Sequence, residues 1–99
     1  MILQLSEGRF EILEKSDLQR LKLRAPSGWN TADIQRGLPF NATVEPDYIW
    51  VMEADLRELS GAGPDASEQD PIAKMINVAR KYGFFDEDSG SVRVHIEFY

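Results

Sequence analysis

The sequence predicts an α+β fold: a mainly antiparallel sheet of about five strands, one principal C-terminal-half helix packed on one face, and a final strand. Three observations carry this reading. Residues 70–83 have the marks of a complete amphipathic helix, residues 92–99 alternate apolar and polar side chains, and much of residues 1–60 alternates in the same way.

The helix is the best-marked element. Asp70-Pro71 places a carboxylate at the N-cap and a proline where its missing N–H costs nothing. Ile72, Met75, Ile76, Ala79 and Tyr82 follow at helical spacing and form an apolar stripe. Gly83 suits the left-handed position beyond the last turn, and Phe84 is placed to fold back onto it. Val92, Val94, Ile96 and Phe98 then alternate with Arg93, His95, Glu97 and Tyr99, the pattern of a half-buried strand.

Earlier in the chain, residues 2–5 read as a short edge strand ending in the turn Ser6-Glu7-Gly8. Phe10 and Ile12, then Leu21, Leu23 and Ala25, alternate with charged residues on either side of Lys15-Ser16-Asp17, which predicts a hairpin. Pro26-Ser27-Gly28 ends it. Residues 31–36 suit a short helical turn capped by Thr31 and stopped by Gly37 and Pro39; an irregular loop fits equally well. Phe40, Ala42 and Val44 alternate before the turn Glu45-Pro46-Asp47. Tyr48-Ile49-Trp50-Val51-Met52 is the densest apolar run and is expected to be the central, most buried strand, with Trp50 in the core. Residues 54–59 match neither the helical nor the strand template, and residues 60–69, with Gly61, Gly63 and Pro64 among acids, read as a loop. A helix about 10 Å across covers about two strands spaced near 4.8 Å. The uncovered sheet therefore calls for loops or a second subunit, and a homodimer is one expected arrangement.

The 99 residues predict one domain, 1–99. Cysteine is absent, which excludes disulfides, thiol catalysis and thiolate metal sites and suits a cytoplasmic setting. No apolar run is long enough for a secretion signal or a bilayer span, so no membrane association is expected. The net charge of −6 is unevenly placed: residues 1–36 sum to +1, residues 37–70 to −7 and residues 71–99 to zero. A field of this sign repels nucleic acid and steers toward basic partners.

His95 is the only histidine, and alternation puts it on one strand face with Arg93, Glu97 and Tyr99. No serine or threonine stands in a nucleophile context, so no catalytic residue and no cofactor are assigned. Asp86, Asp88 and Glu97 match three positions of an EF-hand loop. Ser91 stands where that loop needs glycine, and a strand follows where its second helix belongs, so no metal is expected. Gly61-Ala62-Gly63-Pro64-Asp65-Ala66 spells a dinucleotide fingerprint, but Asp65, Glu68 and Asp70 oppose a pyrophosphate and the helix begins too late to meet it. Arg20, Lys22 and Arg24, with Arg9 beside them, form a basic stripe near Trp29. Glu11 and Glu14 are placed to neutralise that stripe, which together with the overall charge disfavours nucleic acid. Asn41-Ala42-Thr43 is a glycosylation sequon in spelling only.

The expected function is that of a small acidic, non-catalytic protein-binding module, like inhibitor or immunity proteins in size and charge but not by any motif. Its candidate contacts with a basic protein partner are Trp29, Glu45, Asp47, Glu53, Asp55 and Glu58. Two alternatives accompany it: a homo-oligomeric structural domain, and a small-ligand binder or enzyme using Arg93, His95, Glu97 and Tyr99. The last requires a concave pocket at that face.

Overall fold

The computed structural model describes residues 1–15, 17–61 and 70–99. Two residues, Glu7 and Gly8, suffice to reverse the chain between β1 (Ile2–Ser6) and β2 (Arg9–Leu13), because Gly8 takes a φ of +70°. The ladder runs from Ser6 opposite Arg9 to Ile2 opposite Leu13. The hairpin expected between the second and third alternating runs is therefore not formed. A 3-10 turn (Leu18–Arg20), capped by the Asp17 carboxylate, carries the chain past β1, and β3 (Lys22–Ala25) pairs parallel to β1 on its other side. The expected edge strand β1 is thus interior, with Leu3 and Leu5 fully buried.

The remaining strands are β4 (Thr43–Val44), β5 (Tyr48–Met52), β6 (Phe85–Asp86) and β7 (Ser91–Phe98). Among the described residues they complete a mixed sheet of seven strands in the order β2-β1-β3-β7-β5-β4, with β6 also on β7. β7 runs parallel to β3 and antiparallel to β5 and β6. Among the described residues four of the six ladders are antiparallel, so the mainly antiparallel expectation holds in part, but the sheet is mixed and wider than the five strands expected. The eight residues of β7 are long enough to hold three neighbours, so β7 and not β5 is the centre.

Among the described residues three α-helices cover the sheet, where one principal helix was expected and residues 31–36 and 54–59 were open between helix and other readings; the greater number suits the sheet's width. The first, α1 (Thr31–Gly37), is capped by Asn30 rather than Thr31: Asn30 Oδ1 accepts the Asp33 N–H at 2.9 Å, and Asp33 Oδ2 accepts the Asn30 N–H at 3.0 Å. The second, α2 (Glu53–Ser60), starts directly after β5, with Met52 serving both elements. The third, α3 (Pro71–Lys81), is the helix expected from the sequence. Asp70 Oδ1 accepts the Ile72 N–H at 3.0 Å. At the other end Gly83 takes a φ of +75°, and the Phe84 N–H donates to the Ala79 carbonyl at 2.8 Å, closing a Schellman turn.

Ile34 of α1, Leu56 of α2 and Ile72 and Ile76 of α3 join Leu3, Leu23, Ile49, Val51 and Val94 in one core. It lies on one face of the sheet, and the register sets these strand residues opposite one another across the ladders. Val92 and Ile96 point into it, at 2% and 3% exposure. Several expected core residues do not. Tyr82 and Phe98, the final members of their stripes, are 69% and 41% exposed, because the cap of α3 and the last residue of β7 sit at the ends of the covered layer. β5 is apolar on both faces but buried on one: Ile49 and Val51 are inside, while Trp50 meets Tyr48 edge-on, 6.1 Å between ring centres, on the opposite face. Trp29 does pack against the core. The run expected over 40–44 pairs only at Thr43–Val44, with the Phe40 ring edge-on to Phe10 instead. Of the loop expected over 60–69, Ser60 belongs to α2 and Gly61 is its left-handed cap; residues 62–69, with most of the dinucleotide-like spelling, lie outside the described residues.

Candidate functional site

Alternation along β7 sends Arg93, His95 and Glu97 to the face without helices, and cross-strand neighbours decide what each does. Lys22 lies opposite His95 and Arg24 opposite Glu97. Lys22 Nζ donates to Glu97 Oε2 at 2.6 Å, and Arg24 Nε is 3.6 Å from Glu97 Oε1. Lys22 and Arg24 of the basic stripe are thus neutralised from β7, Arg20 lies 3.8 Å from Asp17, and of the two acids expected to neutralise the stripe Glu11 pairs with Arg9 at 2.5 Å. The Lys22 hydrogen bond, helped by the charge of Arg24, holds the Glu97 carboxyl below its ordinary range against the opposing effect of desolvation. Arg24 also lies over the Tyr99 ring, whose hydroxyl donates to the Leu5 carbonyl. Glu97 and Tyr99 are therefore engaged with β1 and β3.

Arg93 is held differently. Its guanidinium sits 4.0 Å from the Phe84 ring centre and 4.9 Å from that of Tyr48, and Tyr82 stacks on Phe84 with centres 6.1 Å apart. Arg93 and exposed His95 border a groove of about 860 Å³ between α3 and the 3-10 turn. The face of four residues grouped by alternation thus divides into a paired half and a half that meets a concavity. Asp86, considered for calcium, organises its own turn, accepting from the Asp88 N–H at 3.2 Å and from Ser89 Oγ at 2.8 Å. Among the described residues no group of three or more His, Asp or Glu side chains is placed to hold a metal ion.

The acids of the middle third fall at opposite ends of β5. Glu45 and Asp47 flank the turn before it; Glu53, Asp55 and Glu58 lie on α2 after it. Strand rise separates the two groups by about 17 Å, roughly twice the Debye length in physiological salt, so they act as separate charges. Glu53 accepts from Arg57 Nε at 2.9 Å, and Arg57 Nη1 is 2.5 Å from Asp70 Oδ2. Arg57 is 9% exposed and joins α2 to the N-cap of α3. Sequence reasoning missed it; the available signal was a lone cation among the acids of residues 37–70. Burial opposes the Asp70 charge, but the Arg57 hydrogen bond and the Ile72 N–H outweigh it and leave the carboxyl below its ordinary value.

Asp55 and Glu58, one helical turn apart, border a cleft of about 490 Å³ whose apolar wall includes Met52, Phe40 and Leu59. Neither acid has a basic side chain within 4 Å among the described residues. Trp29 borders a different hollow, beside Phe10, Asp33 and Arg36. The structure brings Asp55 and Glu58 together and leaves Glu53, the Glu45–Asp47 pair and Trp29 apart from them.

Fold and surface together define an α+β protein with an acid-bordered apolar cleft on one side and a cation-bordered apolar groove on another. No helix among the described residues is long and apolar enough to cross a membrane. No family model, curated protein or solved structure matches the chain.

Proposed function

We propose that the chain is a non-catalytic protein-binding module that holds a basic partner in the cleft between α2 and residues 39–41. The observation that supports this most is the pairing of two uncommitted carboxylates, Asp55 and Glu58, with an apolar wall on which Met52 is 48% exposed. A lysine or arginine side chain fits such a surface in both its parts: the aliphatic stem lies on Met52 and Phe40, and the charged head reaches the carboxylates. The overall charge of −6 steers the encounter, and the cleft supplies the contact that slows release.

A labelled peptide of alternating arginine and leucine tests this by fluorescence anisotropy at graded salt. The double substitution Asp55→Lys/Glu58→Lys is expected to weaken binding by about tenfold or more and to flatten its salt dependence. Glu45→Lys/Asp47→Lys, at the far end of β5, is expected to change the association rate alone, by about twofold. Equal affinity for wild type and the α2 double variant overturns the reading. Self-association lost on substituting Met52 favours a homo-oligomeric domain instead.

A further inference from the structure

We propose that the groove between α3 and the 3-10 turn Leu18–Arg20 docks an acidic amphipathic segment of another protein, one that presents apolar side chains flanked by carboxylates. The proposal goes beyond the basic-partner cleft, which lies on α2 and carries the opposite charge.

Apolar surface is concentrated here. Val78, Tyr82 and Phe84, at 54%, 69% and 37% exposure, are three of the seven large apolar residues left exposed among the described residues, and all three line this groove. Leu18 and Leu21, the first residue and the C-cap of the 3-10 turn, form the facing wall. Such walls call for apolar side chains on the occupant rather than a sugar–phosphate backbone.

Charge supplies the second half. Among the described residues Lys15, Lys74, Lys81 and Arg93 are the lysines and arginines with no carboxylate within 4 Å, and two of these four, Lys74 and Arg93, border the groove with His95. The acid on the rim, Asp17, is already committed: its carboxylate caps the 3-10 turn through the Gln19 N–H at 3.2 Å and lies 3.8 Å from Arg20. A chain of net charge −6 thus presents a locally cationic rim around this apolar groove. Arg93 is also pre-positioned. Its guanidinium carbon is held over the Phe84 and Tyr48 rings, and among the described residues no carboxylate lies within 4 Å of it to occupy its N–H donors. The 11 residues of α3 set a wall about 16 Å long, enough for about three helical turns of a partner segment.

The probe is a dye-labelled peptide of about four helical turns, with leucine and phenylalanine on one face and glutamate elsewhere. Its lysine-for-glutamate counterpart and a labelled oligothymidylate serve as comparisons. The acidic peptide is expected to bind saturably, and about tenfold or more tighter than its basic counterpart. Lys74→Glu and Val78→Asp, both on the exposed side of α3, are each expected to weaken it by about tenfold with melting curves unchanged. Asp55→Lys/Glu58→Lys is expected to leave it unaltered, separating this surface from the acidic cleft. No binding of the acidic peptide, or binding insensitive to both α3 substitutions, overturns the proposal. So does displacement of the peptide by the oligothymidylate, or a dimer in sedimentation that Val78→Asp dissolves.

Discussion

The two faces of the sheet are built from the same strands and differ in what holds their side chains. On the helix-covered face, Val92, Val94 and Ile96 of β7 are at most 3% exposed and belong to one apolar core. On the other, the intervening Arg93 is held by two rings and Glu97 by Lys22 and Arg24, all within reach of water. Two arginines make the same contrast: Arg57 is buried against Glu53 and Asp70, whereas Arg93 lies between Phe84 and Tyr48. The comparison teaches that the apolar core gathers on one face while the other is held together by ion pairs and rings; the α2 cleft and the α3 groove are both lined in part by the helices. A buried charge here is held by counter-charge, and the exposed ones are held by counter-charge at Glu97 and by aromatic rings at Arg93.

Substituting neighbours on β5 tests this division most directly. Ile49→Ala, at a fully buried position, is expected to cost about 3 kcal/mol and to lower the melting temperature by roughly 15 °C. Trp50→Ala, the next residue but on the opposite face, is expected to cost about 1 kcal/mol despite removing far more side chain. Equal losses in urea denaturation would break the contrast. Arg57→Met ranks next, because it strands the buried Asp70 carboxylate; the double variant Arg57→Met/Asp70→Asn is expected to recover part of the loss. Arg93→Met should cost less, about 0.5–1 kcal/mol, since a thioether keeps contact with both rings.

The smallest effect is a pH dependence. A carboxyl whose pKa is lowered by folding binds its proton first in the unfolded chain as pH falls. Its stabilisation is complete above the unfolded value and is lost as pH drops through the folded one. For Glu97 that window lies below its ordinary value of 4.5. Glu97→Gln is therefore expected to flatten the melting temperature against pH in this range and to change little at neutrality, because the side chain is 42% exposed.

What the sequence disclosed follows from where each signal resides. The helix α3 was legible from end to end because its cap, stripe and glycine stop are all local. Helix α2 was not, because Met52 is both the last residue of β5 and the N-cap of the helix, and no glycine or proline separates the two patterns. The turn Ser6-Glu7-Gly8 was visible, but its partner strands were misjudged: Lys15-Ser16-Asp17 offers an equally good polar reversal, and nothing local says which reversal closes a hairpin. The acidic cleft was half legible. Asp55 and Glu58 were among the candidates, but that Glu53 is taken by Arg57, and that Trp29 lies elsewhere, depends on contacts across the fold.

The sequence alone determined the α+β class, the α3 helix with its caps, the alternation of β7 and the acidity of the middle third. Each arises from residues within a few positions of one another. Tertiary structure decided the order of the strands, the parallel pairing of β3 with β1 and β7, and the face left open. It also assembled the groove, which draws Leu18, Val78 and Arg93 from distant parts of the chain. These choices rest on which apolar faces meet in the core, a property of the whole packed chain that no short window contains.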